Sequence, residues 1–463
     1  MELTNQDVAV VVDAAQEAAP LWRALGFSGR EKILLDWASH LTKNVSEIAE
    51  LIAQETGKPI SDAKLEATVA ISHLAWATKN AKKILGTQNR PSGLLFSNIR
   101  SKVAHIPFGV VGVIGPWNYP MHTPMGSISY ALAAGNAVVF KPSEYTPKIG
   151  VYLANSFATV APDARIFQTI EGAPEVGKWL TEANVNKIAF TGSTNTAKKV
   201  AASCANRLIP VTLECGGKDP VLIDSDGDIK LAAEEVLWSA MANAGQSCIG
   251  AERVYVSEKV ADQFIAEISK RAKKLKPGTD YGRATMPPQI QVIKRNIEDA
   301  VAKGGKFVVG DLSSIKESIV EPIIMVEVPE DSLEVTNETF GPTLVINKVK
   351  DMKEAIELAN ATNYGLGAAV YSAKSGEKIA AKLNCGMVSI NSVFIFAGIA
   401  SIPFGGIKDS GYGRIHGPEG LLEFTYAKSI IKPIFHLPVP ITSFRRNKFT
   451  DKLVGKLLKI LHS

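Results

Sequence analysis

The chain has 463 residues, 46% of them hydrophobic and 21% charged, and a formal net charge of +5. That length leaves room for two or three domains around a large apolar core. The charge excess is too small to argue for a nucleic-acid partner, and the body of the chain has no basic run interleaved with aromatics.

Four widely spaced cysteines, Cys204, Cys215, Cys248 and Cys385, form no CxxC pair. Neither a disulfide framework nor a metal site is expected, and a reducing, cytoplasmic setting fits best. The first twenty residues carry acids and no apolar core, so no signal peptide is expected. No apolar run reaches the roughly 18 residues of a spanning helix.

Residues from about 5 to 56 read as helices, with Val8, Val11, Val12 and Ala15, then Ile33, Leu34, Trp37 and Leu41, at helical spacing. A further helix is predicted over 61–85. The segment Asn89-Arg90-Pro91-Ser92-Gly93 breaks the pattern, and 99–106 alternates like an exposed strand. Apolar strands are then predicted at 109–114, 136–140, 165–169, 187–191 and 210–213, with helices at 125–133 and 146–159 between them. A second alternating set follows Cys248, with strands at 251–256, 306–309, 319–326, 344–348, 368–372 and 387–390 and helices at 259–274 and 352–359. Such alternation marks parallel sheets covered on both faces. Two α/β units joined near Gly216-Gly217 are therefore expected.

Two segments suggest chemistry. Leu213-Glu214-Cys215-Gly216-Gly217-Lys218 places a carboxylate beside a glycine turn, and Gly245-Gln246-Ser247-Cys248 places a thiol after one. A thiolate can attack a carbonyl and a carboxylate can activate the water that releases the acyl group. Each half alone reads more simply as a core cysteine or a surface acid. No GxGxxG occurs, but three turns could serve a nucleotide. Phe140-Lys141-Pro142-Ser143-Glu144 ends one strand with a cation and an acid. Phe190-Thr191-Gly192-Ser193-Thr194 opens a helix and offers N–H groups to phosphate. Glu338-Thr339-Phe340-Gly341-Pro342 offers an acid and an aromatic face. Pro116-Trp117-Asn118-Tyr119-Pro120 follows the strand at 109–114, where an amide could face an oxyanion or simply sit in a packed turn.

In this order, together with Asn363-Tyr364-Gly365-Leu366 and the stretch from Pro403-Phe404-Gly405-Gly406 through Arg414, these segments resemble the aldehyde dehydrogenase superfamily over nearly the whole chain. The resemblance implies an α/β fold of two Rossmann-like parallel-sheet domains, one for cofactor and one catalytic, with a small β oligomerisation arm. The implied bounds are 1–91 and 106–217 for the NAD(P)-binding domain, 218–414 for the catalytic domain, and 92–105 with 425–434 for the arm. A homodimer or homotetramer is expected. It further implies Cys248 as nucleophile, Glu214 as base and Asn118 as oxyanion donor. Trp117, Lys141, Ser143, Glu144, Gly192, Ser193, Glu338 and Phe340 would bind the cofactor. Glu144 favours NAD, because a carboxylate accepts from a ribose 2′-hydroxyl and repels a 2′-phosphate; Lys141 keeps NADP as the alternative.

The substrate side is expected to include Tyr119, His122, Gly126, Phe394 and Phe396. Many relatives carry lysine where this chain has Ser127, and some that oxidise succinate semialdehyde carry arginine near Gly126. A glycine there is expected to widen the channel for medium- or long-chain or aromatic aldehydes, with Val393, Phe394, Ile395 and Phe396 as an apolar wall or as core. Succinate semialdehyde is the alternative substrate. A CoA-acylating enzyme would generally lack Glu214, and a non-catalytic binding scaffold would have no reason to keep Cys248, Glu214 and Asn118 together. Residues 435–463 form a basic amphipathic tail, with Phe449, Leu453, Val454, Leu457, Leu458 and Leu461 on one side and Arg445, Arg446, Lys448, Lys452, Lys456 and Lys459 largely on the other. It suits either docking on the enzyme body or peripheral contact with an anionic membrane.

Overall fold

A computed structural model describes residues 3–393, 395–436 and 443–462. Four helices, Asn5–Ala24, Gly26–Lys43, Val45–Thr56 and Ile60–Leu85, open the chain. Their apolar faces form one core with the helices His122–Ala134 and Pro147–Ala158, where Trp22, Trp37, Leu41 and Leu74 are fully buried.

Two parallel sheets follow. The first has six strands in the order Gly411–Tyr412, Val211–Glu214, Lys187–Thr191, Val110–Ile114, Ala137–Lys141 and Phe167–Thr169. All run parallel except Gly411–Tyr412, which is antiparallel to Val211–Glu214. The chain leaves Val110–Ile114 toward one edge and later returns to its other side, a change of direction that opens a crevice at the carboxyl ends of the strands. The second sheet has seven strands in the order Lys306–Val309, Ile323–Val326, Thr343–Val349, Ala251–Ser257, Asp219–Ile223, Gly367–Tyr371 and Met387–Ile390. Only Lys306–Val309 is antiparallel to its neighbour. Central strands such as Val110–Ile114 and Ala137–Lys141 are buried at every position, which is why they read as unbroken apolar runs.

Ile99–Pro107 pairs antiparallel with Gln88–Arg90 on one side and with Thr425–Pro433 on the other, making a separate three-stranded sheet. All but the first residue of Thr425–Pro433 is exposed. The strand predicted over 319–326 is shorter, Ile323–Val326: Pro322 has no N–H to give a ladder, and Val320 instead bridges to Ile315. The tail forms the helix Lys448–His462, on which Phe449, Leu453, Leu458, Ile460 and Leu461 are exposed. Residues 437–442 of the tail lie outside the described part. Among the described residues, no helix is long and apolar enough to cross a membrane.

Candidate active site

Four of the predicted site segments lie at the carboxyl ends of the six-stranded sheet. Asn118 follows the strand Val110–Ile114, Lys141 ends Ala137–Lys141, Gly192 and Ser193 follow Lys187–Thr191, and Glu214 ends Val211–Glu214. The opposing residues precede strands of the other sheet: Cys248 comes shortly before Ala251–Ser257, and Glu338 and Phe340 before Thr343–Val349.

The turn that delivers the thiol is conformationally unusual. Asn243 (φ 54°), Ala244 (φ 56°) and Gly245 (φ 69°) are successive left-handed residues between the helix Ile229–Met241 and Cys248. Two non-glycine residues in that region are disfavoured by about 1–2 kcal/mol each. Gly245 is required on steric grounds as well, because a Cβ would lie 2.0 Å from the Gly341 carbonyl oxygen. Asn118 Nδ2 donates to the Gln246 carbonyl at 2.9 Å, which leaves its second N–H free of that bond and ties the amide to the thiol's own loop. Asn243 Nδ2 donates to both the Asn118 and Gln246 carbonyls, at 3.0 and 3.2 Å.

Cys248 and Glu214 line one cavity of about 320 Å³. Both Glu214 carboxylate oxygens are buried without a hydrogen-bond partner. Burial raises its pKa well above the ordinary carboxyl range, opposed by Arg414 and helped by Glu423. The Cys248 thiol is also pushed up, first by burial and then by the nearby Glu338, Asp219 and Glu214. A half-buried thiol and a buried, unpartnered carboxyl therefore line one chamber, a combination that stability alone does not call for. Cys215 lines the same chamber, and burial pushes its thiol up to about 12.

The residues expected to hold a dinucleotide lie on turns at the ends of strands of both sheets. Lys141 Nζ and Glu144 Oε2 pair at 3.1 Å, and Ser143 Oγ accepts from the Tyr145 N–H. Ser193 caps the helix Thr194–Ala205, and a Cβ on Gly192 would strike the Phe190 ring at 2.7 Å, so bare backbone enters the helix there. Glu338 Oε1 accepts from the Gly217 N–H at 3.1 Å, and burial, then Glu252, raises its pKa to about 8. A Cβ on Gly216 would overlap the Glu338 carboxylate and one on Gly217 would meet the Cys248 carbonyl oxygen, which explains the glycine pair. Glu252 accepts from the Thr339 and Phe340 N–H groups and fixes this turn. The Trp117 and Phe340 rings meet edge to face, 5.5 Å apart. A carboxylate just after one strand, another just before a strand of the other sheet, a capped helix N-terminus and aromatic faces fit a nicotinamide dinucleotide.

Of the residues named for the substrate side, Tyr119, His122, Val393 and Ile395 line the cavity, with Phe404 of the Pro403-Phe404-Gly405-Gly406 stretch and with Leu65, Val69, Trp238, Ile249, Ile415 and His416, which the sequence did not single out. Two expectations are corrected. Gly126 does not widen the channel: a Cβ there would meet His416 Nε2 at 2.7 Å and Ile415 Cδ1 at 3.0 Å, so its neighbours already fill the space. Phe396 is not a wall residue but a buried one, clustered with Leu366, Met387, Phe404 and Ile415. Phe394 lies outside the described residues. The rings of His73, His122 and His416 meet edge to face or tilted, with centroids 4.0–5.8 Å apart. Burial disfavours the charged form of all three, with His73 lowered to about 3, His122 to about 4 and His416 well below its usual value. The cavity's lysine, Lys58, is paired with Glu66.

Residues 1–430 match the aldehyde dehydrogenase family. The chain is 37% identical to 4,4′-diapolycopene aldehyde oxidase of a Methylomonas species over 92% of its own length and 81% of that protein's. It is 34% identical to a Mycolicibacterium smegmatis protein provisionally named an NADP(+) succinate-semialdehyde dehydrogenase, over 92% and 84% of the two chains. The solved structure of PnpE in complex with nicotinamide adenine dinucleotide superposes with a TM-score of 0.89 at 29% identity, covering 95% of this chain and 92% of that one. With its two parallel sheets and the match along nearly its whole length, the chain belongs to the aldehyde dehydrogenase family and is an oxidoreductase that acts on aldehydes with a nicotinamide dinucleotide.

Proposed function

We propose that the enzyme oxidises uncharged, apolar aldehydes to free carboxylic acids, with Cys248 as nucleophile and Glu214 as hydrolytic base. The observation that carries this reading is the shared cavity, in which the thiol faces a carboxylate with no other partner among mainly apolar walls. A water takes the Cys248 thiol proton as Sγ bonds to the aldehyde carbon and the C=O electron pair moves onto the oxygen, giving a thiohemiacetal. Its oxyanion accepts from the second N–H of Asn118 Nδ2 and from the Cys248 main-chain N–H. When bound, the nicotinamide supplies the acceptor for the hydride. Cys248 then holds the acyl group as a thioester. Glu214 takes a proton from water, the hydroxyl oxygen bonds to the acyl carbon, and the C–S bond breaks to release the acid as Glu214 returns that proton to the Cys248 sulfur. CoA is not needed as acyl acceptor in this scheme.

The cofactor is proposed to be NAD, with Glu144 accepting from the ribose hydroxyl and Lys141 holding Glu144 in place; Ser143, Ser193, Gly192, Glu338, Phe340 and Trp117 complete the site. NADP is the alternative suggested by the mycobacterial relative. Two copies of the chain are proposed to pair through the exposed strand Thr425–Pro433, where Ile430 and Ile431 face solvent. The tail helix is proposed to rest on an anionic membrane surface, its cations toward headgroups and its exposed apolar residues inserted.

Succinate semialdehyde is disfavoured because its carboxylate would enter a chamber whose imidazoles are neutral and whose lysine is already paired. Initial rates with NAD and octanal, benzaldehyde or succinate semialdehyde test the proposal. Octanal and benzaldehyde should exceed succinate semialdehyde in kcat/KM by about tenfold or more, roughly the loss expected from one unpaired polar group. The reverse order would overturn the apolar assignment, and activity only with added CoA would overturn the hydrolytic one.

A further inference from the structure

The turn that carries Asn118 is held by an ion pair that belongs to neither sheet. Lys58 Nζ stands 2.6 Å from Glu66 Oε2, and both side chains are wholly buried. Lys58 comes two residues after the helix Val45–Thr56, beyond Gly57 in a left-handed conformation (φ 80°), and Glu66 lies on the helix Ile60–Leu85.

The two side chains divide the segment 118–122 between them. Lys58 Nζ donates to the Asn118 carbonyl at 2.9 Å and sits 4.0 Å from the centre of the Tyr119 ring. Glu66 Oε1 accepts from the main-chain N–H groups of Met121 and His122, at 2.9 and 3.2 Å. These N–H groups open the helix His122–Ala134, and its N-cap, Met121, makes no side-chain cap of its own. The same network reaches the nucleophile loop. Asn118 Nδ2 binds the Gln246 carbonyl, Gln246 Oε1 accepts from the Thr285 N–H at 2.8 Å, and Thr285 Oγ1 donates to the Thr56 carbonyl at 2.8 Å. Thr56 stands two residues before Lys58, so the chain of contacts closes on itself.

Two apolar side chains could fill this space without the desolvation that a buried ion pair incurs, so stability alone is a weak reason for its presence. Its bonds converge on the main chain at Asn118 and on the residues just after it. We infer that Lys58 and Glu66 are positioning residues for the oxidation, fixing the Asn118 amide against the Cys248 loop so that its remaining N–H meets the oxyanion. The inference rests on the reading of Asn118 as oxyanion donor. An amide displaced by about 1 Å loses most of its preference for the transition state over the ground state, so the deficit appears in kcat rather than KM.

The test is a mutant cycle with octanal and NAD. The double variant K58M/E66Q removes both charges, while the introduced side-chain amide keeps a carbonyl acceptor for the Met121 and His122 N–H groups. E66Q alone is carried through the same cycle in case the double variant folds poorly. Far-UV circular dichroism and gel filtration check the fold of each. The expected result is a kcat about 10- to 100-fold below wild type, with KM within about threefold. In an N118A background the same substitutions should cost less than about threefold further, because the group they position is gone. Equal losses in both backgrounds, or an unchanged kcat in the Asn118 background, would overturn the inference. N118A alone reports on the underlying reading: if it retains wild-type kcat, the oxyanion assignment falls first and the role of the ion pair falls with it.

Discussion

The two parallel sheets meet the cleft with opposite ends. The six-stranded sheet presents carboxyl ends, with Lys141, Thr191 and Glu214 as the last residues of three strands. The seven-stranded sheet presents amino ends, with Gly217, Cys248 and Phe340 on the turns that lead into its strands. A strand's carboxyl end flows into a helix whose first N–H groups lack intrahelical partners, a setting suited to an anionic, extended cofactor. An amino end is entered from a turn, and here the turn is forced: Asn243, Ala244 and Gly245 are all left-handed. Such a turn suits one rigidly aimed nucleophile. The division of labour follows from chain direction as much as from residue type.

The comparison can be broken or sharpened by substitution. The largest effect is expected at the amino-end turn: C248S should lower kcat by about a thousandfold or more, followed by the absorbance of reduced dinucleotide. A loss of under tenfold would remove the thiol from the mechanism. Next comes the carboxyl-end acid. E214Q should lower steady-state kcat by about 100- to 1,000-fold while a first-turnover burst of reduced cofactor persists, since only hydrolysis of the thioester needs the base.

The same substitution carries a pH signature. Burial raises the Glu214 pKa, so the folded state holds this proton more tightly than the unfolded chain does. Its ionisation therefore destabilises the fold progressively as pH rises from the unfolded value of 4.5 to the raised folded value, and the penalty is complete above it. E214Q should accordingly raise Tm at pH 8 and leave it nearly unchanged at pH 4, and the rise of wild-type kcat with pH should begin above the ordinary carboxyl range. Equal Tm values at pH 8 would contradict the burial argument.

A smaller change is expected at the cofactor end. E144S should shift the ratio of kcat/KM for NADP over NAD upward by about tenfold, and an unchanged ratio would remove Glu144 from cofactor choice. The smallest effect on catalysis belongs to the tail. Truncation after Pro438 should abolish sedimentation with vesicles containing phosphatidylglycerol while leaving kcat for octanal within about twofold. Equal sedimentation of both forms would discard the membrane proposal.

What was legible in the sequence follows the same division. The buried strands were visible as apolar runs because both their faces are covered, and the turns at their carboxyl ends were visible because polar residues interrupt those runs abruptly at Lys141, Thr191 and Glu214. The substrate wall was not. Gly126 reads as empty space until His416, nearly three hundred positions later, is seen to occupy it. Phe396 sits beside the wall residue Ile395 in sequence yet turns into the core. Lys58 and Glu66 are eight residues apart, with no periodicity to distinguish them from surface charges; only the approach of the 118–122 turn makes them partners. A one-dimensional pattern records what one element does to itself, whereas these three cases are decided by what another element places against it.

The contact between Gly245 and Gly341 has a wider consequence. A single methyl group at position 245 would collide with the carbonyl of the neighbouring turn, so the loop bearing the sulfur and the loop bearing Glu338 and Phe340 abut as bare backbone. Neither can drift without pushing the other. Mutational tolerance on one loop is therefore inherited by its neighbour, and changes that survive at either should arrive in matched pairs.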